Sequence, residues 1–169
     1  KELKIGTAKT KLNSVIRLGD GTINLFGSSS ETLVGKKLVG REDGVLIKVS
    51  KTGAIFSVVR SSAPRAQRSW TSATSTLFLT GYVKSGTTSE SAITKFTSSF
   101  APTWTTRIAS TGTTLAANGP AKSFYVALEP TTAIKGLAPI KLVKGQSFVL
   151  QFDSKGLLVG AFSAAEMSA

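Results

Sequence analysis

Residues 44–53, 91–100 and 147–156 align with one another as three copies of one apolar strand running into a polar turn. Lys48, Lys95 and Gln151 share a column of that alignment, and the apolar Val49, Phe96 and Phe152 share the next. The preceding strands align as well, with Leu25-Phe26-Gly27 over Leu79-Thr80-Gly81 over Val126-Ala127-Leu128. A unit of about 50 residues present three times constrains the fold more than any other feature, because such units bury their faces by stacking on neighbours.

Each unit reads as two hairpins. In the first, 14–18 and 22–26 flank Gly19-Asp20-Gly21, and 44–50 and 54–60 flank Lys51-Thr52-Gly53. Glycine there supplies the positive φ that tight turns require. The second unit pairs 68–73 with 76–82 and 92–97 with 103–108. The third pairs 113–117 with 123–128 through Asn118-Gly119-Pro120, and 147–153 with 157–162 across Ser154-Lys155-Gly156. Polar connections such as 28–43 and 83–90 join the hairpins and absorb differences in spacing. The strands are short and rich in Val, Ile, Phe, Thr and Leu, and helical periodicity is nearly absent.

These observations predict an all-β, β-propeller-like chain of three four-stranded antiparallel blades, at 13–61, 66–110 and 112–163. It would be half of a propeller or a segment of one. A twelve-strand β-sandwich is the competing architecture, but it gives no reason for a four-strand period. Residues 1–12, in which Leu3 and Ile5 alternate with polar residues, read as the outer strand of an adjacent or closing blade.

The second unit carries Leu77-Phe78-Leu79-Thr80-Gly81-Tyr82, then Ala92-Ile93-Thr94-Lys95-Phe96, then Trp104. This series resembles the bacterial β-propeller repeat families, in particular those of the seven-bladed type. The first unit keeps Gly27 without the tyrosine, and the third has Leu128 and Gln151 where the pattern has Gly and Lys. The resemblance implies a structural module of large secreted or surface proteins, hence an extracytoplasmic setting. It supplies no catalytic residues.

Propellers close with roughly four to eight blades. Three blades would leave two open sheet faces and unpaired edges, which favour association. The expectation is therefore self-association, with a homodimer completing a six-bladed ring, or membership of a longer chain.

Lys and Arg number 21 against 9 Asp and Glu, a net charge of +12. That excess admits anionic partners, an anionic polysaccharide or nucleic acid among them, although no nucleic-acid recognition motif accompanies it. With no His and no Cys, the commonest general base, the commonest metal ligand and every disulfide are excluded. No apolar run approaches the roughly 18 residues of a membrane span, and no cofactor signature is present. The adjacent acids Glu42-Asp43 would point to opposite faces of a strand, so they read as a solvated loop rather than a catalytic pair. Gly119-Pro120-Ala121-Lys122-Ser123 lacks the spacing of a phosphate loop and reads as a hairpin turn.

Basic residues cluster at Lys1/Lys4/Lys9/Lys11, Lys36/Lys37/Arg41, Arg60/Arg65/Arg68 and Lys135/Lys141/Lys144. The third cluster lies between the first two units and runs into Trp70. Arg65, Arg68 and Trp70 are the candidate binding residues, because guanidinium groups chelate phosphate, sulfate or carboxylate and an indole offers a stacking surface. A solvated linker with Trp70 in the core is the competing reading. The function expected is a non-enzymatic binding or scaffold module for a protein or an anionic polymer. The alternative is a carbohydrate-active, enzyme-like propeller whose site is completed by a partner chain or by further blades.

Overall fold

The computed structural model describes residues 3–132, 134 and 145–163; Lys1, Lys135, Lys141 and Lys144 lie outside the described residues. Every described strand is antiparallel to its neighbours, and the described residues hold no α-helix. The first sheet is the meander β1 (Thr10–Arg17), β2 (Ile23–Ser29), β3 (Asp43–Val49) and β4 (Ile55–Ser61), hydrogen-bonded in chain order. The second has seven strands: β5 (Gln67–Ala73), β6 (Phe78–Ser85), β7 (Thr88–Phe96), β8 (Pro102–Asn118), β9 (Phe124–Pro130), β10 (Phe148–Phe152) and β11 (Leu158–Ser163). They too pair in chain order, so the all-β expectation holds, in two sheets rather than three.

The reason lies in the two junctions. Between β4 and β5 the chain reads Ser62-Ala63-Pro64-Arg65-Ala66, and Pro64 cannot donate to a ladder while Arg65 turns to φ +62. The sheet stops there, and only the parallel bridge Glu42↔Gln67 crosses the gap. At 109–115 no such breaker exists, so β8 stays extended through 17 residues. Its first part pairs with β7 and its second with β9. β8 thus serves as the last strand of one meander (β5–β8) and the first of another (β8–β11).

That seven-stranded sheet folds back on itself. Phe78 on β6 and Phe124 on β9 are three strands apart, about 14 Å across a flat sheet. Their rings stack with centroids 3.9 Å apart. The core between these meanders contains Phe78, Ile93 and Ile108 from one side and Phe124, Val126, Leu128, Phe148, Leu150 and Phe152 from the other. A second core lies between the first and second meanders, where Phe26 and Leu46 meet Trp70, Leu79, Val83, Ala92 and Phe96.

The turns closing each meander share one geometry. Gly53 N donates to Ser50 O, Phe100 N to Thr97 O and Gly156 N to Asp153 O, at 2.8, 2.9 and 3.1 Å. The closing residue has positive φ in all three cases. The strand register then shifts directly after Lys48, Lys95 and Gln151, the column identified in the sequence. This is a three-residue hairpin with a bulge.

Residues 3–9 form no strand, although 1–12 reads as one in the sequence. β1 already begins at Thr10, and Glu31 holds the preceding turn by accepting from Thr7 N at 2.7 Å and Thr7 Oγ1 at 2.9 Å. Ile5 and Leu33 instead pack on the outer face of the first meander, against a cluster containing Val45, Ile47, Val49 and Val58.

Candidate cleft between the first and second meanders

Where the first meander meets the second, a cavity of about 210 Å³ opens between them, lined among others by Ser61, Arg68, Trp70, Tyr82, Thr94 and Arg107. Its position follows from how the two meanders are fastened. On one edge Arg68 N donates to Glu42 O at 2.9 Å, and Arg41 N to Ala66 O at 2.8 Å. On the other, the bulge residue Asn13 donates from Nδ2 to Trp70 O at 2.8 Å and to Ser69 Oγ at 3.1 Å.

Glu42 belongs to this junction and Asp43 to the first meander beside it; neither lies in a solvated loop. Glu42 accepts from Ser28 Oγ at 2.6 Å and from Tyr82 Oη at 2.9 Å, tying β2 to β6. Asp43 is fully buried; it accepts from Val39 N and Gly40 N at 3.0 and 2.9 Å and pairs with Arg60 at 3.2 Å. The two side chains do point apart, and each has a structural assignment. Burial, and then the Glu42 carboxylate beside it, push the Tyr82 phenol up to about 12.

Arg68 is the least satisfied cation of the cleft. Its Nη1 donates to Ser61 Oγ at 3.3 Å, while its buried Nε has no partner among the described residues. Burial, and then the like charge of Arg107, hold its guanidinium below the ordinary value, with Asp43 working the other way. Arg107 itself pairs with Glu90 at 3.2 Å, and its side chain is 38% exposed. Trp70 is buried, edge-on to Phe96 with centroids 5.4 Å apart, and its Nε1 also lacks a partner. Gly44 makes room for it: a Cβ there would lie 2.9 Å from that nitrogen.

Of the three candidate residues, Arg68 and Trp70 come together in this cleft. Arg65 does not line it; it sits exposed in the turn at 63–66. Arg107 completes the cleft, and the sequence does carry a signal for it. Arg107 pairs with Ala92 across the ladder as Arg60 pairs with Val45, so the two arginines share a column, and so do their partners Asp43 and Glu90.

Lys48 and Lys95 are both half-buried. Lys48 donates to Ser98 O and lies 4.7 Å from the Phe100 ring centroid; Lys95 donates to Thr76 O and lies 4.2 Å from that of Phe78. Both spend their charge between strands and turns. Among the described residues no group of His, Cys, Asp and Glu is arranged to hold a metal ion, and no helix is long and apolar enough to cross a membrane.

The chain matches no protein-family model and shows no significant similarity to any curated protein.

Proposed function

We propose that this chain is a propeller-type, non-enzymatic binding module whose cleft between the first two meanders takes an oxyanion group of an acidic polysaccharide. The observation that carries the reading is Arg68, a cation with a buried, unpartnered Nε, facing a second arginine across a cavity. A carboxylate or sulfate group between the two guanidinium groups would relieve the repulsion between Arg68 and Arg107. The walls also include Phe96, Phe100 and Pro102, an apolar surface suited to a sugar ring rather than to a run of phosphates. The shared meander plan, with identical turn hydrogen bonds and a common bulge column, supports the propeller-type assignment.

Titration with sodium sulfate, sodium acetate and dextran sulfate, at constant ionic strength and followed by indole fluorescence, tests the proposal. Arg68→Gln should abolish the response, while Arg65→Gln, outside the cleft, should leave it intact. Binding should weaken as salt rises. An unchanged response in Arg68→Gln, or tighter binding to a DNA duplex than to dextran sulfate, would overturn it.

A further inference from the structure

Each internal contact between meanders has the same polarity. One four-residue row crosses the first meander as Ser14–Phe26–Leu46–Val59, the second as Ser72–Thr80–Ile93–Thr106 and the third as Leu115–Ala127–Val149–Phe162. In the first two meanders this face is turned toward the next meander: Phe26 and Leu46 are sealed against the second, and Thr80 and Ile93 against the third. The reverse face of the second and third meanders receives that contact, through Leu79 and through Val126 with Leu150.

The third meander presents the same row, and among the described residues outside it only Ser72 of the second meander borders the groove. Leu115 is 60% exposed and Phe162 40%, flanking the half-buried Ala127 and Val149 along one apolar groove. At the other end, the reverse face of the first meander has its complementary row, Val15–Leu25–Ile47–Val58. Ile5 and Leu33 cover its β3 and β4 side, where Ile47 and Val58 are buried, and the exposed part is the β1 edge, with Val15 65% and Leu12 42% exposed. Among the described residues the first and third meanders thus carry two different outward faces, and the interior shows twice that such faces stack on each other.

We infer that the occupant of this row on the third meander, exposed among the described residues, is the first meander of a second copy of this chain, docked head to tail. The occupant follows from continuity with the two contacts already present in the fold. A head-to-tail contact closes a ring if the rotation permits and otherwise propagates. Two copies would make a ring of six meanders. Both copies carry +12, so salt should strengthen this contact. That sign is opposite to the one expected for polysaccharide binding in the cleft, so the two proposals fail separately.

Light scattering on four samples tests it: the wild type, Leu115→Asp/Phe162→Asp, Leu12→Asp/Val15→Asp, and an equal mixture of the two variants. All four substitutions are at exposed positions, and circular dichroism checks that each variant keeps its strands. The wild type should have twice 17.6 kDa or a higher multiple, rising with salt. Each variant alone should fall to a single chain. The mixture should recover a dimer, because each variant retains the face the other has lost. A wild type that stays at one chain at every concentration and salt would overturn the inference. So would a dimer that the Leu12→Asp/Val15→Asp variant leaves intact, since that result means two copies meeting through the same face.

Discussion

Phe100 turns the edge of its ring onto Phe26, with centroids 5.9 Å apart and planes at 67°, from a backbone position that glycine holds in the other two meanders. Gly53 and Gly156 close their turns at φ +86 and +85; Phe100 closes its own at +64, fully buried. A non-glycine residue in the left-handed region costs roughly 1–2 kcal/mol. The ring offsets that cost by sealing the end of the core between the first two meanders, where the Lys48 ammonium lies over it.

Phe100→Gly therefore separates two opposed effects. Relief of the backbone returns about 1 kcal/mol, while loss of a buried aromatic costs about 3–5 kcal/mol. We expect a net destabilisation of about 2–4 kcal/mol, read as a lower urea midpoint with an unchanged slope. A variant as stable as the wild type would show that the ring contributes little at this junction.

Gly27 and Gly81 are required by close backbone approach rather than by φ. A Cβ at Gly27 would lie 1.9 Å from Lys11 O, and one at Gly81 would lie 1.9 Å from Ser69 O. Both glycines face the residue just before a single-residue bulge on the neighbouring strand. Gly81→Ala should destabilise by about 3 kcal/mol or more, since backbone must move. Gly19→Ala, with open space around it and no positive φ, should stay within about 0.5 kcal/mol of the wild type. Equal unfolding midpoints for the two variants would refute this account.

The third meander departs from that plan in a way its sequence foreshadows. Leu128 stands in the Gly27/Gly81 column, and the register shift opposite it spans Thr111 to Leu115, three residues in place of one. The turns of the first and third meanders were legible for a similar reason: Gly, Asp and Asn between short β-branched runs specify them locally. Thr74–Leu77 and Thr97–Phe100 in the second carry none of these and place Leu77 and Phe100 at positive φ. The Lys48/Lys95/Gln151 column falls on the bulge. The continuity of β8 was not legible, because an extended Thr-Gly-Thr-Thr run and a loop look alike until a partner strand is placed beside them. Nor was the burial of Asp43, whose partners Arg60, Val39 and Gly40 mean nothing before folding brings them together. Arg107 was within reach, since aligning the fourth strands places it over Arg60.

Asn24 is a buried amide with neither its Nδ2 nor its Oδ1 partnered among the described residues. It pairs across the ladder with Lys48 as Phe78 pairs with Lys95, so the second meander has an apolar residue in its column. Replacing an unsatisfied buried amide by an apolar group of similar volume removes a desolvation cost of about 1–3 kcal/mol. Asn24→Leu should stabilise the chain by about 1 kcal/mol or more in urea unfolding. Destabilisation would mean that the amide has a partner, such as a bound water, that the leucine cannot replace.

Tyr82 gives the alkaline limb of stability a specific sign. Its phenol is raised to about 12 in the folded chain, by burial and by Glu42, against about 10 when unfolded. Between those values the unfolded chain has lost the proton and the folded chain keeps it. The folded state then binds more protons, so stability falls as pH rises through that window. The contribution is fully present below pH 10 and lost toward 12. Tyr82→Phe deletes this term along with the hydrogen bond to Glu42 Oε2 at 2.9 Å. At pH 7 the variant should be less stable by about 1–2 kcal/mol, because Glu42 keeps only its bond from Ser28. From pH 10 to 12 the gap between the two proteins should narrow, since the wild type alone loses the Tyr82 contribution. Urea unfolding at pH 7, 10 and 11 measures that gap, and a gap that stays constant or widens would mean that Tyr82 ionises alike in both states.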